Sequence, residues 1–167
     1  MSDDKTIIDA IIKAEVDPND PSKVTNDPAD AGGRTQWGIS ERANPEAWAD
    51  GQVTEQEARD IYERKYVRSP GFSNIHDFKL KHLLVDFGVN SGPTIAVKAL
   101  QDAVGATPDG ILGPDTLAKL DALDAKLVTN RVVDARLRLI GRIVSKDWKQ
   151  AKFCGGWIGR ALDFRVE

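Results

Sequence analysis

The chain has 167 residues, 41% hydrophobic and 29% charged, with 23 Lys and Arg against 26 Asp and Glu for a formal net charge of -3. Apolar residues run along its whole length and suffice for a buried core, which excludes a disordered or fibrous polymer. The sequence pI of 5.5 speaks against a general nucleic-acid binder. A single cysteine, Cys154, leaves no internal disulfide.

The first apolar residues, Ile7, Ile8, Ile11 and Ile12, lie at helical spacing between the capping residues Ser2 to Asp4 and the breaker Pro18, which predicts a helix over 4–15. Glu15 follows Ile8 by seven residues and Ile11 by four, so its carboxyl is expected on the apolar face of the last turn, shielded by Ile8, Ile11 and Ile12. Residues 16–40 hold three prolines, three glycines and many Asp and Asn residues, and read as a long loop with a small β region. Thr54-Glu55-Gln56-Glu57 is a capping box, and Ala58, Ile61, Tyr62 and Tyr66 continue a helix to about residue 67. Phe78, Leu83, Leu84 and Phe87 predict a helix over 76–87 closed by Gly88, and Pro93 opens another that runs to Val104. A turn-rich connector, 105–113, leads to a short helix from Pro114. The longest helix is expected over 126–148, with a stripe of Val133, Leu137, Ile140, Val144 and Trp148. The fold class is therefore mainly α (α+β), a helical protein with a small β or loop region near 16–40. It reads as one domain over 1–167, with an N-terminal part, 1–85, and a helical part, 86–167.

Charge is uneven. Between Lys126 and Arg160 nine basic residues face two acids, and Arg131, Arg138, Arg142 and Lys149 share one helical face. That face is either a solvated surface or a weak contact with an anionic envelope. No stretch approaches the roughly 18 apolar residues of a membrane span. The start, Met1 to Lys5, lacks the basic and apolar regions of a signal peptide, so synthesis in the cytoplasm without a signal peptide is expected.

Two histidines and one cysteine are too few for a zinc centre, so no metal and no cofactor is expected. The Gly-x-Ser-x-Gly elbow is absent, and Gly155-Gly156-Trp157-Ile158-Gly159 lacks the context of a phosphate loop and reads as a helix end or packing contact. Carboxylate chemistry remains. Glycoside hydrolysis needs two carboxyls in unlike surroundings, one shielded to act as an acid and one solvated and charged. Glu15 and Asp30 fit these roles.

The segment Asn26-Asp27-Pro28-Ala29-Asp30-Ala31-Gly32-Gly33-Arg34-Thr35-Gln36-Trp37-Gly38-Ile39 resembles the signature of the N-acetylmuramidases of glycoside hydrolase family 108, which follows a catalytic Glu closing a first helix. Ile61 to Tyr66 looks like the family's next helix. Asp86-Phe87-Gly88-Val89-Asn90-Ser91-Gly92-Pro93, Leu100-Gln101 and Asp109 to Leu117 are similar to its C-terminal predicted peptidoglycan-binding segment, and Gly156 to Arg160 resembles its close.

The resemblance implies a lysozyme-like helical fold and a peptidoglycan hydrolase, an endolysin that cleaves the β-1,4 bond between N-acetylmuramic acid and N-acetylglucosamine. It would act as a monomer on bacterial peptidoglycan in the periplasm or cell wall, with no nucleic acid involved and a holin releasing it indirectly. Carried over by position, Glu15 is the general acid, and Asp30 and Thr35 handle water or the intermediate. Trp37, Tyr62, Tyr66 and Asn90 are the candidate substrate contacts. Where the family has Gly-Gly-aromatic after the Glu, this chain has Val16-Asp17-Pro18, so Asp17 and Asp20 rival Asp30 as the second carboxylate. A non-catalytic binding module and a lytic transglycosylase are the alternative functions.

Overall fold

A computed structural model describes residues 3–26 and 33–167 of the chain, and among these the architecture is seven α-helices with one two-stranded antiparallel sheet. The expected mainly α fold with a small β element is what the chain adopts. It divides into two compact units, Met1–Val67 and Arg68–Glu167.

In the first unit, α1 (Asp3–Glu15) buries Ile7, Ile8, Ile11 and Ile12, the four residues of the predicted stripe. Asp3 and Asp4 in its first turn and Lys13 in its last complement the helix dipole. The capping box forms at α2 (Glu55–Tyr62): the Thr54 hydroxyl accepts from the Glu57 N–H at 3.2 Å, and the Glu57 carboxylate accepts from the Thr54 N–H at 2.8 Å. Val53 and Ala58, placed as a hydrophobic staple beside it, are both buried. Arg59 ties the two helices together, donating to Asp9 of α1 and, at 2.6 Å, to Glu55 one turn back. Beyond Tyr62 the coil widens into a π-helical stretch, Glu63–Arg68, where regular α-helix was expected to 67.

Strands β1 (Thr35–Gln36) and β2 (Ile39–Ser40) pair Thr35 with Ser40 and Gln36 with Ile39. Thr25 adds a bridge on the other side of Thr35, with both backbone hydrogen bonds at 2.9 Å. A short 3-10 turn, Pro45–Trp48, sets the Trp48 indole under this hairpin, where its N–H donates to the Ile39 carbonyl at 3.3 Å.

The second unit contains α3 (Phe78–Ser91), α4 (Pro93–Val104), α5 (Pro114–Asp121), α6 (Ala125–Lys146) and α7 (Ala151–Leu162). The long α6 packs against α3, α4 and α7. Three expectations are corrected here. Gly88 does not close α3; it lies inside the helix, where an added Cβ would sit 3.4 Å from Pro93 Cα, so its bareness lets the start of α4 come close. Trp148 does not extend the α6 stripe. The helix ends at Lys146, Asp147 caps a 3-10 turn over Trp148–Gln150, and Trp148 is 80% exposed. The glycines of Gly155 to Gly159 mark neither a helix end nor a packing contact, since they lie within α7 and face open space.

The second unit is centred on a buried charge cluster. Asp86 of α3 meets Arg136 of α6 at 2.7 Å and Arg160 of α7 at 2.8 Å, with Asp86 and Arg136 almost inaccessible. Arg160 Nε donates a well-aligned hydrogen bond to Asp86 Oδ2, whereas Arg136 Nη1 and Asp86 Oδ1 touch as ions without hydrogen-bond alignment. Burial pulls the Arg136 guanidinium below its ordinary pKa, against the opposing pull of Asp86.

Candidate active site

Glu15 is the last residue of α1. What meets it is the hairpin turn between β1 and β2. Trp37 and Gly38 are the two central residues of that turn, with φ of 54° and 77°, the left-handed pair that a type I′ hairpin requires. Gly38 lies flat against the end of α1: a Cβ built on it would stand 2.9 Å from Glu15 Cβ, 3.2 Å from Glu15 Cγ and 2.2 Å from the Tyr62 hydroxyl oxygen. Tyr62 in turn donates to the Trp37 carbonyl at 3.1 Å, so α2 holds the turn in place from below.

The result is a cleft lined by Glu15, Asp17, Lys23, Thr25, Thr35 and Trp37, among others. Three of the residues singled out in the sequence, Glu15, Thr35 and Trp37, thus come together although 22 positions separate the first from the last. Thr35 spends its backbone N–H and carbonyl on Thr25, which leaves its half-buried hydroxyl as the group it can offer to the cleft. Asp17, one of the rival carboxylates, also lines the cleft, whereas Asp20 is not among its walls. The Asn19 N–H, donating to Asp17 at 2.9 Å, holds that carboxyl below the ordinary value of 3.8, with Lys23 pulling the same way and partial burial opposing. Asp30 lies outside the described residues.

The shielding expected for Glu15 is absent. Ile8, Ile11 and Ile12 point into the core, and Glu15, at the end of the helix, is exposed; its stem rests on Gly38.

A family model described as Glycosyl hydrolase 108 matches residues 9–92, half of the chain, and covers α1 from Asp9 onward, the hairpin, α2 and α3. The chain belongs to glycosyl hydrolase family 108. A second model, described as Predicted Peptidoglycan domain, matches residues 95–162. A solved structure titled as that of SagA from Brucella abortus is similar to the chain at 28% identity and a TM-score of 0.71, over 98% of this chain and 96% of that one. No curated protein matches. The chain is thus a family 108 glycoside hydrolase that acts on peptidoglycan, with a cell-wall target, and no helix among its described residues is long and apolar enough to cross a membrane.

In this hydrolase the aromatic candidates separate. Trp37 lines the cleft itself. Tyr66 is half-buried, and burial together with the nearby Glu15 carboxylate raises its phenol above the ordinary value of 10.0. Tyr62 is only 1% exposed; its hydroxyl supports the turn, and its ring lies near that of Tyr66, centroids 5.8 Å apart and tilted by 41°. Asn90 belongs to the other unit, where it lies in the last turn of α3 with its amide donating to the Asp86 carbonyl at 3.0 Å.

Two residues that shape the site escaped the sequence reading. Gln36 is buried and donates to the Ser22 carbonyl at 2.7 Å while accepting from the Val53 N–H at 2.7 Å, which pins the loop after α1 and the approach to α2 onto one strand. Arg34 grips Glu41 with two hydrogen bonds of 2.7 and 2.9 Å, lies 4.8 Å over the Trp48 ring, and locks the open end of the hairpin. The available signal was their place on either side of Thr35 in the quoted signature.

Proposed function

We propose that the chain is an N-acetylmuramidase, cleaving the β-1,4 bond between N-acetylmuramic acid and N-acetylglucosamine with Glu15 as general acid. The observation that carries this reading is the meeting of Glu15 with Thr35 and Trp37 in one cleft, inside the segment matched to the glycosidase family. Glu15 protonates the leaving glycosidic oxygen, Thr35 positions the attacking water, and Trp37 with Tyr66 borders the sugar. Asp30 supplies the second carboxylate by its place in the signature, with Asp17, which stays charged, as its competitor. Asn90 is a further substrate contact by its place in the Asp86 to Pro93 motif. The biological setting is that of a phage endolysin, made in the host cytoplasm and admitted to the wall by a holin.

The test is digestion of purified peptidoglycan by the wild type and by Glu15→Gln, Asp30→Asn and Asp17→Asn, with mass spectrometry of borohydride-reduced fragments. Reducible N-acetylmuramic acid ends from the wild type, lost in Glu15→Gln, support the proposal, and the Asp variant with the larger loss is the second carboxylate. Anhydro ends would make the chain a lytic transglycosylase, and reducible N-acetylglucosamine ends a glucosaminidase. Retention on the polymer without any fragments would reduce it to a binding module.

A further inference from the structure

Helices α4 and α6 of the second unit flank a groove of about 330 Å³. Arg131, Arg138 and Arg142 line it from α6 and Asp102 from α4, over a floor that includes Ala99 and Ala135. The arginines fall seven and four residues apart and therefore share one helical face. Lys149, expected on that face, lies instead in the turn beyond the Asp147 cap and contributes nothing to the groove.

Two features distinguish the groove from an ordinary solvated stripe. Among the described residues none of the three guanidiniums is in an ion pair, although Arg138 and Arg142 stand one turn apart and repel each other. Arg131 is also held across the groove by donating from Nη1 to the Ala103 carbonyl at 2.9 Å, so its remaining N–H donors keep one position. The alanine floor leaves the space between the charges open.

The planar fork of arginine matches carboxylate and phosphate, and a fixed fork loses little freedom when it binds. Asp102 decides between ligand classes. A phosphate polymer or a lipid headgroup layer would present negative charge to this carboxylate, whereas a peptide with free carboxylates also brings N–H and ammonium donors that it can accept. Peptidoglycan carries such peptides as stems on an uncharged glycan. We infer that the α4–α6 groove binds the carboxylate-bearing stem peptides of peptidoglycan, an inference that rests on peptidoglycan being the substrate. The cleft at Glu15 then reads sugars while this groove reads peptides.

The experiment uses the full chain carrying Glu15→Gln, so that polymer is not consumed, with and without Arg138→Gln and Arg142→Gln. Both arginines are exposed, and circular dichroism checks that the fold is kept. Binding is measured to intact sacculi, to glycan strands stripped of stems by an amidase and then amidated at the lactyl carboxylates this cleavage frees, and to phosphatidylglycerol vesicles. The pair of substitutions is expected to weaken binding to intact sacculi by about 10-fold or more, the worth of one charge-assisted hydrogen bond, and to leave binding to stripped strands unchanged. A free stem tripeptide should compete with sacculi for the parent and not for the variant. Unchanged binding to sacculi would overturn the inference, as would an equal loss on stripped strands. Tighter binding of the parent to vesicles than to sacculi, lost in the variant, would overturn it in favour of a membrane contact. Fragment release by the unsubstituted chain is read separately: its absence counts against the enzymatic reading, while its presence with sacculus binding indifferent to the two arginines counts against the groove alone.

Discussion

Gly38 should be the least replaceable residue of the hairpin, and Gly38→Ala measures why. An alanine there pays first for the left-handed backbone, φ 77°, about 1–2 kcal/mol, offset by about 0.4–1 kcal/mol because alanine has less freedom to lose on folding. The new methyl then stands 2.2 Å from the Tyr62 hydroxyl oxygen and 2.9 Å from Glu15 Cβ. Neither neighbour is the free end of a flexible chain: Tyr62 is 1% exposed, and Glu15 Cβ is fixed by the helix backbone. Relief requires the turn to lift or the ring to shift. Either movement breaks the 3.1 Å bond from Tyr62 to the Trp37 carbonyl, about 1 kcal/mol, and adds overpacking strain of about 1–3 kcal/mol.

The whole comes to about 2–6 kcal/mol. Gly51→Ala is the control, because Gly51 has φ 90° but nothing within 4 Å of its added Cβ, so it carries backbone strain without the clash. Urea unfolding of both variants, followed by tryptophan fluorescence, should show Gly38→Ala less stable than Gly51→Ala by about 2–4 kcal/mol. Peptidoglycan cleavage should fall in Gly38→Ala and persist in Gly51→Ala. Equal losses of stability would refute the argument, because strain alone would then account for both.

Trp37→Asn keeps a residue that tolerates φ 54° and removes the indole, so stability should change by less than about 1 kcal/mol while KM for peptidoglycan fragments rises about 3- to 10-fold with kcat little altered. An unchanged KM would remove Trp37 from the sugar site. Asp86→Asn leaves Arg136 and Arg160 buried against a neutral amide and should cost about 3–5 kcal/mol in urea unfolding; a loss under about 1 kcal/mol would mean that the cluster is hydrated. His82 sits 4.9 Å from the Phe164 ring, and burial lowers its pKa below 6.5, with Asp86 opposing and Arg160 adding to the shift. A base with a depressed folded pKa binds its proton more readily when unfolded, so its contribution is intact above pH 6.5 and is lost as pH falls through the folded value. Unfolding free energies at pH 7 and pH 5 should therefore differ less in His82→Gln than in the wild type.

The helices were legible because local rules governed them. The capping box at Thr54, the isoleucine stripe of α1 and the proline starts of α4 and α5 each depend on residues within one or two turns. Trp148 was misplaced because hydrophobic spacing does not register a competing cap, and the Asp147 carboxylate, accepting from the Lys149 N–H at 3.1 Å, ends the periodicity two residues early. Gln36 and Arg34 were illegible for a different reason. Their partners stand 7 to 17 positions away, and nothing local distinguishes a glutamine that joins two loops from one that faces solvent. Gly38 was legible as a turn residue, but not as the point where backbone touches the stem of Glu15.

That contact also changes the account of how Glu15 could work as an acid. From the spacing alone, the isoleucines of α1 were to shield its carboxyl, but a helix has one apolar face and Glu15 stands where that face ends. The isoleucines are spent on the core, and the residue is left exposed beside a turn whose backbone shape is fixed from both sides, by Tyr62 beneath and by the Arg34–Glu41 clamp behind. Rigidity is therefore what the protein itself supplies to Glu15, since its stem lies against a glycine that cannot be enlarged and the turn cannot follow it. Water exclusion falls to the substrate: on the muramidase reading, a glycan strand laid over Trp37 and Thr35 covers the carboxyl as it binds. A site built this way draws its dry environment from binding energy, so sugar units remote from the scissile bond contribute to the rate as well as to affinity.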